Sequence, residues 1–131
     1  MLAAASRGFE RLTDGAFDRL VVDFEHEPPI LEGRRRDGSR VGVAALSDGT
    51  RDQLFLALRL AALQLHLEQG HALPFIADDL FVNFDDTRSH AGFQALGELS
   101  RHTQVIYLTH HRHLADVAQQ ALGGAARVLE L

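Results

Sequence analysis

The sequence predicts an α/β fold, a mostly parallel sheet flanked by helices and preceded by an antiparallel strand hairpin. Three observations lead there. After residue 46, short apolar runs alternate with long helical patterns, which implies parallel pairing. Before residue 46, the runs are short, β-rich and joined by turn residues, which implies antiparallel pairing. With 131 residues and 46% hydrophobic content, the chain can bury the core of one compact domain.

Taken in order, Met1 to Gly8 reads as a helix end with Gly8 as its stop. Phe17 to Phe24 is β-rich and partly alternating, and Pro28-Pro29 breaks it. Ile30 to Arg34 predicts a short strand, with Asp37-Gly38 as the hairpin turn and Arg40 to Ala45 as the returning strand. A helical pattern runs from about Thr50 to Gln69 and stops at Gly70. Its apolar positions extend well beyond one stripe, so much of this helix should be buried. Leu73 to Ala77 predicts a buried strand. Asp86 to Arg101 predicts an amphipathic helix with Phe93, Leu96 and Leu99 inward. Val105 to Leu108 reads as another buried strand, His111 to Leu122 as a helix, and Ala126 to Leu131 as a final strand.

Composition narrows the function. The net charge of −5 supplies no global attraction for DNA or an anionic membrane. No cysteine is present, which excludes disulfides and thiolate metal sites. No apolar run approaches membrane-spanning length, so the expectation is a cytoplasmic protein with no membrane partner. All 13 basic residues are arginine. A phosphate-binding P-loop needs its Lys on the β- and γ-phosphates, so that cradle is not in this sequence.

Three segments carry chemistry. Leu46-Ser47-Asp48-Gly49-Thr50 opens the long helix, where a hydroxyl, a close backbone and a positive helix end suit a phosphate. The same residues also suit an ordinary helix cap. Asp78 and Asp79 end an apolar strand, where ligands of open α/β sheets bind. The first carboxylate suits Mg²⁺ held through water, and the second suits the attacking water; the alternative is a pair of solvated loop carboxylates. Thr109-His110 ends the next strand, where His110 could hydrogen-bond a γ-phosphate or water, or cap the following helix. His111 and His113, with Asp78, Asp79, Asp85 and Asp86, raise a transition-metal site, although two histidines two apart do not both face one site with His110. Arg34, Arg35, Arg36 and Arg40 form the one basic cluster, read as a solvated hairpin tip or a DNA phosphate contact.

A phosphate end, an acidic strand end and a histidine strand end, in that order, resemble the C-terminal half of a P-loop ATPase head of the ABC/SMC type. Leu46 to Ala61 is similar to the YhaN-like bacterial ATPases in particular, which carry a Leu-Ser-x-Gly-Thr-x-x-Gln signature, and the resemblance covers roughly residues 10–131. It implies that Ser47, Gly49 and Thr50 contact ATP bound to a second head. Asp78 then matches the Walker B aspartate and metal ligand. Asp79 falls at the catalytic base, and His110 at the switch histidine. Asn83-Phe84-Asp85-Asp86 resembles the D-loop, with Asp85 near the nucleotide. The implied cofactors are ATP and Mg²⁺, both requiring an N-terminal P-loop lobe of the same or a split protein. The implied partners are that lobe, a second head, DNA and a nuclease subunit, in DNA repair or chromosome maintenance. Residues 1–8 would be the end of a coiled-coil helix and residues 9–131 the C-terminal ATPase lobe, inactive by itself.

Two departures bear on activity. Asp48 stands where the common form has glycine. Asp79 stands where most relatives have glutamate, which draws the carboxylate back by about 1–1.5 Å. Two other functions fit the same residues. One is a non-catalytic interaction module of this fold. The other is a metal-dependent phosphodiesterase using Asp78, Asp79, Asp85 and His110.

Overall fold

In the computed structural model, which describes residues 1–131, the chain opens with helix α1 (Leu2–Leu12). Ala5, Phe9 and Leu12 fall on one helical stripe and are buried. Gly8 lies inside this helix and does not end it, contrary to the sequence expectation. Its bare Cα faces Ala57, whose Cβ would stand 3.6 Å from a Cβ at Gly8. The stop comes later, where the Thr13 hydroxyl donates to the Phe9 carbonyl (2.8 Å) and Asp14 and Gly15 take positive φ.

Strands β1 (Phe17–Asp23), β2 (Ile30–Arg35) and β3 (Arg40–Gly42) form the antiparallel sheet, in the order β1-β2-β3. Leu20 pairs with Gly33 across β1 and β2. A side chain at Gly33 would collide with the Phe17 ring, at 2.8 Å from its Cβ. Phe17 in turn packs on Phe9 of α1, ring centroids 5.1 Å apart. The returning strand is shorter than expected: Val43–Ala45 form a 3₁₀ turn that delivers the chain to helix α2 (Asp48–Glu68). The Gln53 amide, fully buried, donates to the Leu12 carbonyl at the end of α1. α2 is less covered than its composition suggests. Leu54, Leu56, Ala57 and Ala61 are buried, but Phe55 and Leu65 stand exposed.

The chain divides into two compact units, Met1–Leu65 and His66–Leu131, where the sequence suggested a single domain. In the second unit, β4 (Phe75–Asp78) pairs in parallel with β5 (Val105–Leu108), register Ala77↔Tyr107 and Asp78↔Leu108. The crossover between them is helix α3 (Asp86–Leu99), and helix α4 (Arg112–Leu122) follows β5. Phe93, Leu96 and Leu99 of α3 point inward as the periodicity predicts, and Leu114 and Val117 of α4 are also buried. The last six residues form no strand, because an extended segment becomes one only by pairing, and none is offered here. Leu129 is 70% exposed.

One face of the β4–β5 pair is closed and the other is bare. Ala77 is buried on this side, and Tyr107 packs into an aromatic cluster with Phe81, Phe84 and Phe93, neighbouring ring centroids 4.9–5.0 Å apart. On the opposite face Ile76 is 59% exposed, Leu108 47% and Ile106 38%. The apolar runs read as buried strands, and on this face the structure leaves them exposed. No helix is long and apolar enough to cross a membrane.

Candidate functional site

The acidic strand end lies in the second unit. Asp78 is the last residue of β4 and is exposed on the same face as Ile76, because side chains alternate along a strand. Asp79 comes next and turns the chain with a φ of +48°. Aspartate tolerates that left-handed conformation better than most residues, and such positions concentrate at functional sites. The turn is fixed from β5 and the loop after it. The Asp79 N–H donates to the Leu108 carbonyl (2.7 Å), and the Thr109 hydroxyl donates to Asp79 Oδ1 (2.9 Å). His111 Nε2 lies 3.6 Å from Asp79 Oδ2, and the His111 N–H donates to the Thr109 hydroxyl (3.0 Å).

The two adjacent aspartates therefore differ in kind. Asp79 is a partly shielded carboxylate with one oxygen anchored and the other beside an imidazole. It has lone pairs left to orient a water or accept its proton. Asp78 is exposed at the strand end and enters no ion pair, so its oxygens remain open to a hard cation. It is His111, and not His110, that approaches Asp79; His110 is exposed at the turn between them.

Beyond the turn, Asp85 caps α3 by accepting the Arg88 N–H (2.8 Å), and its carboxylate lies 3.6 Å from the Arg88 guanidinium. Asp86 meets His113 at 2.7 Å, and this hydrogen bond raises the His113 pKa above its ordinary value. Asp78, Asp79, Asp85 and His110 are not gathered into a metal site. No group of three or more His, Asp or Glu in the chain is arranged to hold a metal ion. The metal-dependent phosphodiesterase expected as an alternative lacks its ligand cluster.

The phosphate-binding candidates lie in the first unit. Ser47 caps α2: its hydroxyl accepts the Thr50 N–H (3.2 Å) and donates to the Thr50 hydroxyl (2.8 Å). Gly49 is buried within the first turn, where backbone N–H groups lack helical acceptors. Asp48 does not turn a charge onto these groups. Its side chain is 84% exposed and lies 3.5 Å from the Arg51 guanidinium. Arg51 also donates to the carbonyls of Val43 (3.2 Å), Ala44 (3.3 Å) and Leu46 (3.1 Å), tying the segment before the helix to its second turn.

Of the basic cluster, two members are engaged in the sheet. Arg34 makes a two-point contact with Asp18 (3.0 Å each), and Arg35 lies over the Phe17 ring, 5.6 Å from its centroid. The guanidinium beside Asp18 holds that carboxyl below the usual range. These contacts fix the strands and leave less free charge for phosphates than the run of arginines suggests.

Sequence reasoning missed Thr109, His111, Tyr107 and Arg51 as positioning groups. The signal for the first three is register: pairing Asp78 with Leu108 brings Asp79 level with Thr109, which no single segment reveals. For Arg51 the signal was its place one turn into the helix, within reach of the preceding carbonyls.

No protein-family model matches the chain. YhaN of Bacillus subtilis (strain 168), itself an uncharacterized protein, is 34% identical over 117 residues, which are 88% of this chain and 12% of YhaN. A structure from the structural biochemistry of ATP-driven dimerization and DNA-stimulated activation of SMC ATPases superposes with a TM-score of 0.64. It is 20% identical, and the match covers 89% of this chain and 73% of that one. The Smc head domain with a coiled coil and joint from Pyrococcus yayanosii superposes with a TM-score of 0.68. It is 19% identical, covering 93% of this chain and 23% of that one. The chain is thus similar in sequence to a segment of YhaN and carries the fold of the C-terminal portion of an SMC ATPase head, as the resemblance implied.

Proposed function

We propose that this chain is the C-terminal lobe of an SMC-like ATPase, binding and hydrolysing ATP between two heads together with an N-terminal P-loop lobe. The observation that carries the reading is Asp79, a carboxylate held in a left-handed turn at the carboxyl end of a parallel strand by Thr109 and His111. A water beside it would lose a proton to Asp79 as its oxygen bonds to the γ-phosphorus, while the bond to the β-phosphate oxygen breaks to release ADP. Asp78, exposed and free of ion pairs, has the oxygen chemistry to hold Mg²⁺ through water; that ion would neutralise charge on the β- and γ-oxygens. Ser47, Gly49 and Thr50 at the α2 N-terminus would contact the phosphates of a nucleotide carried by the other head, and Asp85 would line the contact between heads. His110, exposed beside this turn, remains the candidate γ-phosphate sensor.

The bare face of Ile76, Ile106 and Leu108 supports a partner lobe, since parallel sheets are normally covered on both faces. The cellular role proposed is DNA repair or chromosome maintenance, with DNA and a nuclease subunit as further partners and the cytoplasm as the location. The test is ATP turnover by the native assembly containing this chain, compared with the same assembly carrying Asp79→Asn. Loss of turnover with nucleotide-dependent dimerisation retained is expected; unchanged turnover would remove the assignment. The bare face equally suits a non-catalytic docking module, and in that case Asp79→Ala would leave the biological activity intact.

A further inference from the structure

Tyr107 is the chain's single tyrosine and sits at the third position of β5, facing the closed side of the sheet. Opposite it in register is Ala77, whose small side chain leaves room for the ring. The ring packs on Phe81 and Phe93, with centroids 5.0 Å away in each case. The phenol oxygen emerges from that cluster beneath the turn that follows Asp79, and it accepts the Phe81 N–H at 3.0 Å. A turn N–H facing an aromatic cluster would otherwise go unpaired, and an unpaired buried donor costs about 1–3 kcal/mol.

Three consecutive residues thus grip the turn from one side. The Leu108 carbonyl accepts the Asp79 N–H, the Thr109 hydroxyl holds the Asp79 carboxylate, and the Tyr107 oxygen accepts the Phe81 N–H just downstream. Asp79 has a positive φ, a conformation that persists only when its neighbours over-determine it. The bond from Leu108 fixes the entry to the turn, and Tyr107 fixes its exit. With both ends fixed, the Asp79 backbone is held in place, and the Thr109 hydroxyl sets the direction of its carboxylate.

We infer that Tyr107 is a positioning residue for Asp79, its phenol oxygen anchoring the turn so that the carboxylate is aimed at the water it would activate. The inference rests on the reading of Asp79 as the base of an ATPase head. The phenol suits the task chemically. Burial, reinforced by the nearby Asp79 charge, pushes its pKa up to about 12. It therefore stays neutral throughout the range in which a carboxylate titrates, and the anchor does not change with pH.

The test is Tyr107→Phe, which keeps the ring and removes the oxygen. In the native assembly, kcat for ATP should fall about 10-fold with KM for ATP unchanged, since displacement of a reacting group by a fraction of an ångström has effects of this order. Added to Asp79→Asn, Tyr107→Phe should lower turnover no further. In the chain itself, amide hydrogen exchange at Phe81 should accelerate while the Phe93 amide in α3 keeps its protection. An unchanged kcat in Tyr107→Phe, beside an inactive Asp79→Asn, overturns the positioning role and leaves the base assignment standing. Full turnover in Asp79→Asn overturns both. Uniform loss of protection across α3 overturns it as well, because Tyr107 would then be supporting the whole unit and not the turn.

Discussion

The two faces of the β4–β5 pair are built from similar apolar residues and meet opposite fates. On the closed face, Ala77 is buried and Tyr107 packs with Phe81, Phe84 and Phe93, and the turn carrying Asp79 is held by hydrogen bonds to Tyr107, Leu108 and Thr109. On the bare face, Ile76, Ile106 and Leu108 are left in solvent, and Asp78 stands beside them without an ion pair. The difference separates what this chain determines alone from what it leaves to a partner. Asp79 is oriented by the chain's own packing; Asp78 and its apolar neighbours await another surface.

The largest effects should fall on the two aspartates, and they should differ. In the native assembly, Asp79→Asn should lower ATP turnover by about 100-fold or more, in the range expected for losing a positioned base, with the Mg²⁺ requirement unchanged. Asp78→Asn should instead raise the Mg²⁺ concentration needed for turnover. A common Mg²⁺ profile for the two variants would erase the distinction between the faces. Thr109→Val, which removes the hydroxyl holding Asp79 Oδ1, should lower kcat by about 10-fold. An unaltered kcat would show that Oδ1 needs no anchor.

Stability should divide the same way. A Cβ at Gly92 of α3 would stand 2.5 Å from the Phe81 ring. Gly92→Ala should therefore destabilise the chain by about 1–3 kcal/mol through overpacking, read from the shift in denaturation midpoint. On the bare face, Ile76→Thr, at the most exposed of its three apolar residues, should change stability by no more than about 0.5 kcal/mol, as exposed substitutions do, while reducing self-association in light scattering. Equal destabilisation by both variants would mean that the bare face is covered within the chain.

Periodicity made the helices and most strands legible, because α3 and α4 repeat their apolar positions and β5 is a short apolar run between breakers. Gly8 misled because a glycine inside a helix costs only about 1 kcal/mol, and the close approach of Ala57 is invisible in sequence. The final segment misled because Val128, Leu129 and Leu131 have the composition of a strand but no strand to pair with. Likewise the apolar run Leu73 to Ala77 read as a buried strand, yet Leu73 and Ile76 are exposed. The site was legible where chemistry lies in contiguous residues, as with Ser47 to Thr50 and Asp78-Asp79. It was not legible where chemistry depends on register, which is why the contacts of Thr109 and His111 with Asp79, and of Tyr107 with the turn after it, emerged only from the structure.

The smallest expected effects are electrostatic, and they separate the two units by pH. In the second unit, the Asp86 hydrogen bond raises the His113 pKa above its ordinary 6.5. A raised folded value means that this contribution is complete below about pH 6.5 and is lost as pH rises through the folded pKa. In the first unit, Arg34 lowers the Asp18 pKa below its ordinary 3.8, first through the side-chain hydrogen bond. That contribution is present above about pH 3.8 and is lost as pH falls through the folded value. Both pairs are solvent-accessible, so salt should weaken each of them. His113→Gln should therefore reduce the loss of stability as pH rises above about 6.5 without changing the acid limb, and Asp18→Asn should reduce the loss as pH falls below about 3.8 without changing the neutral range. A single variant that flattened both limbs would show that the two units do not titrate independently.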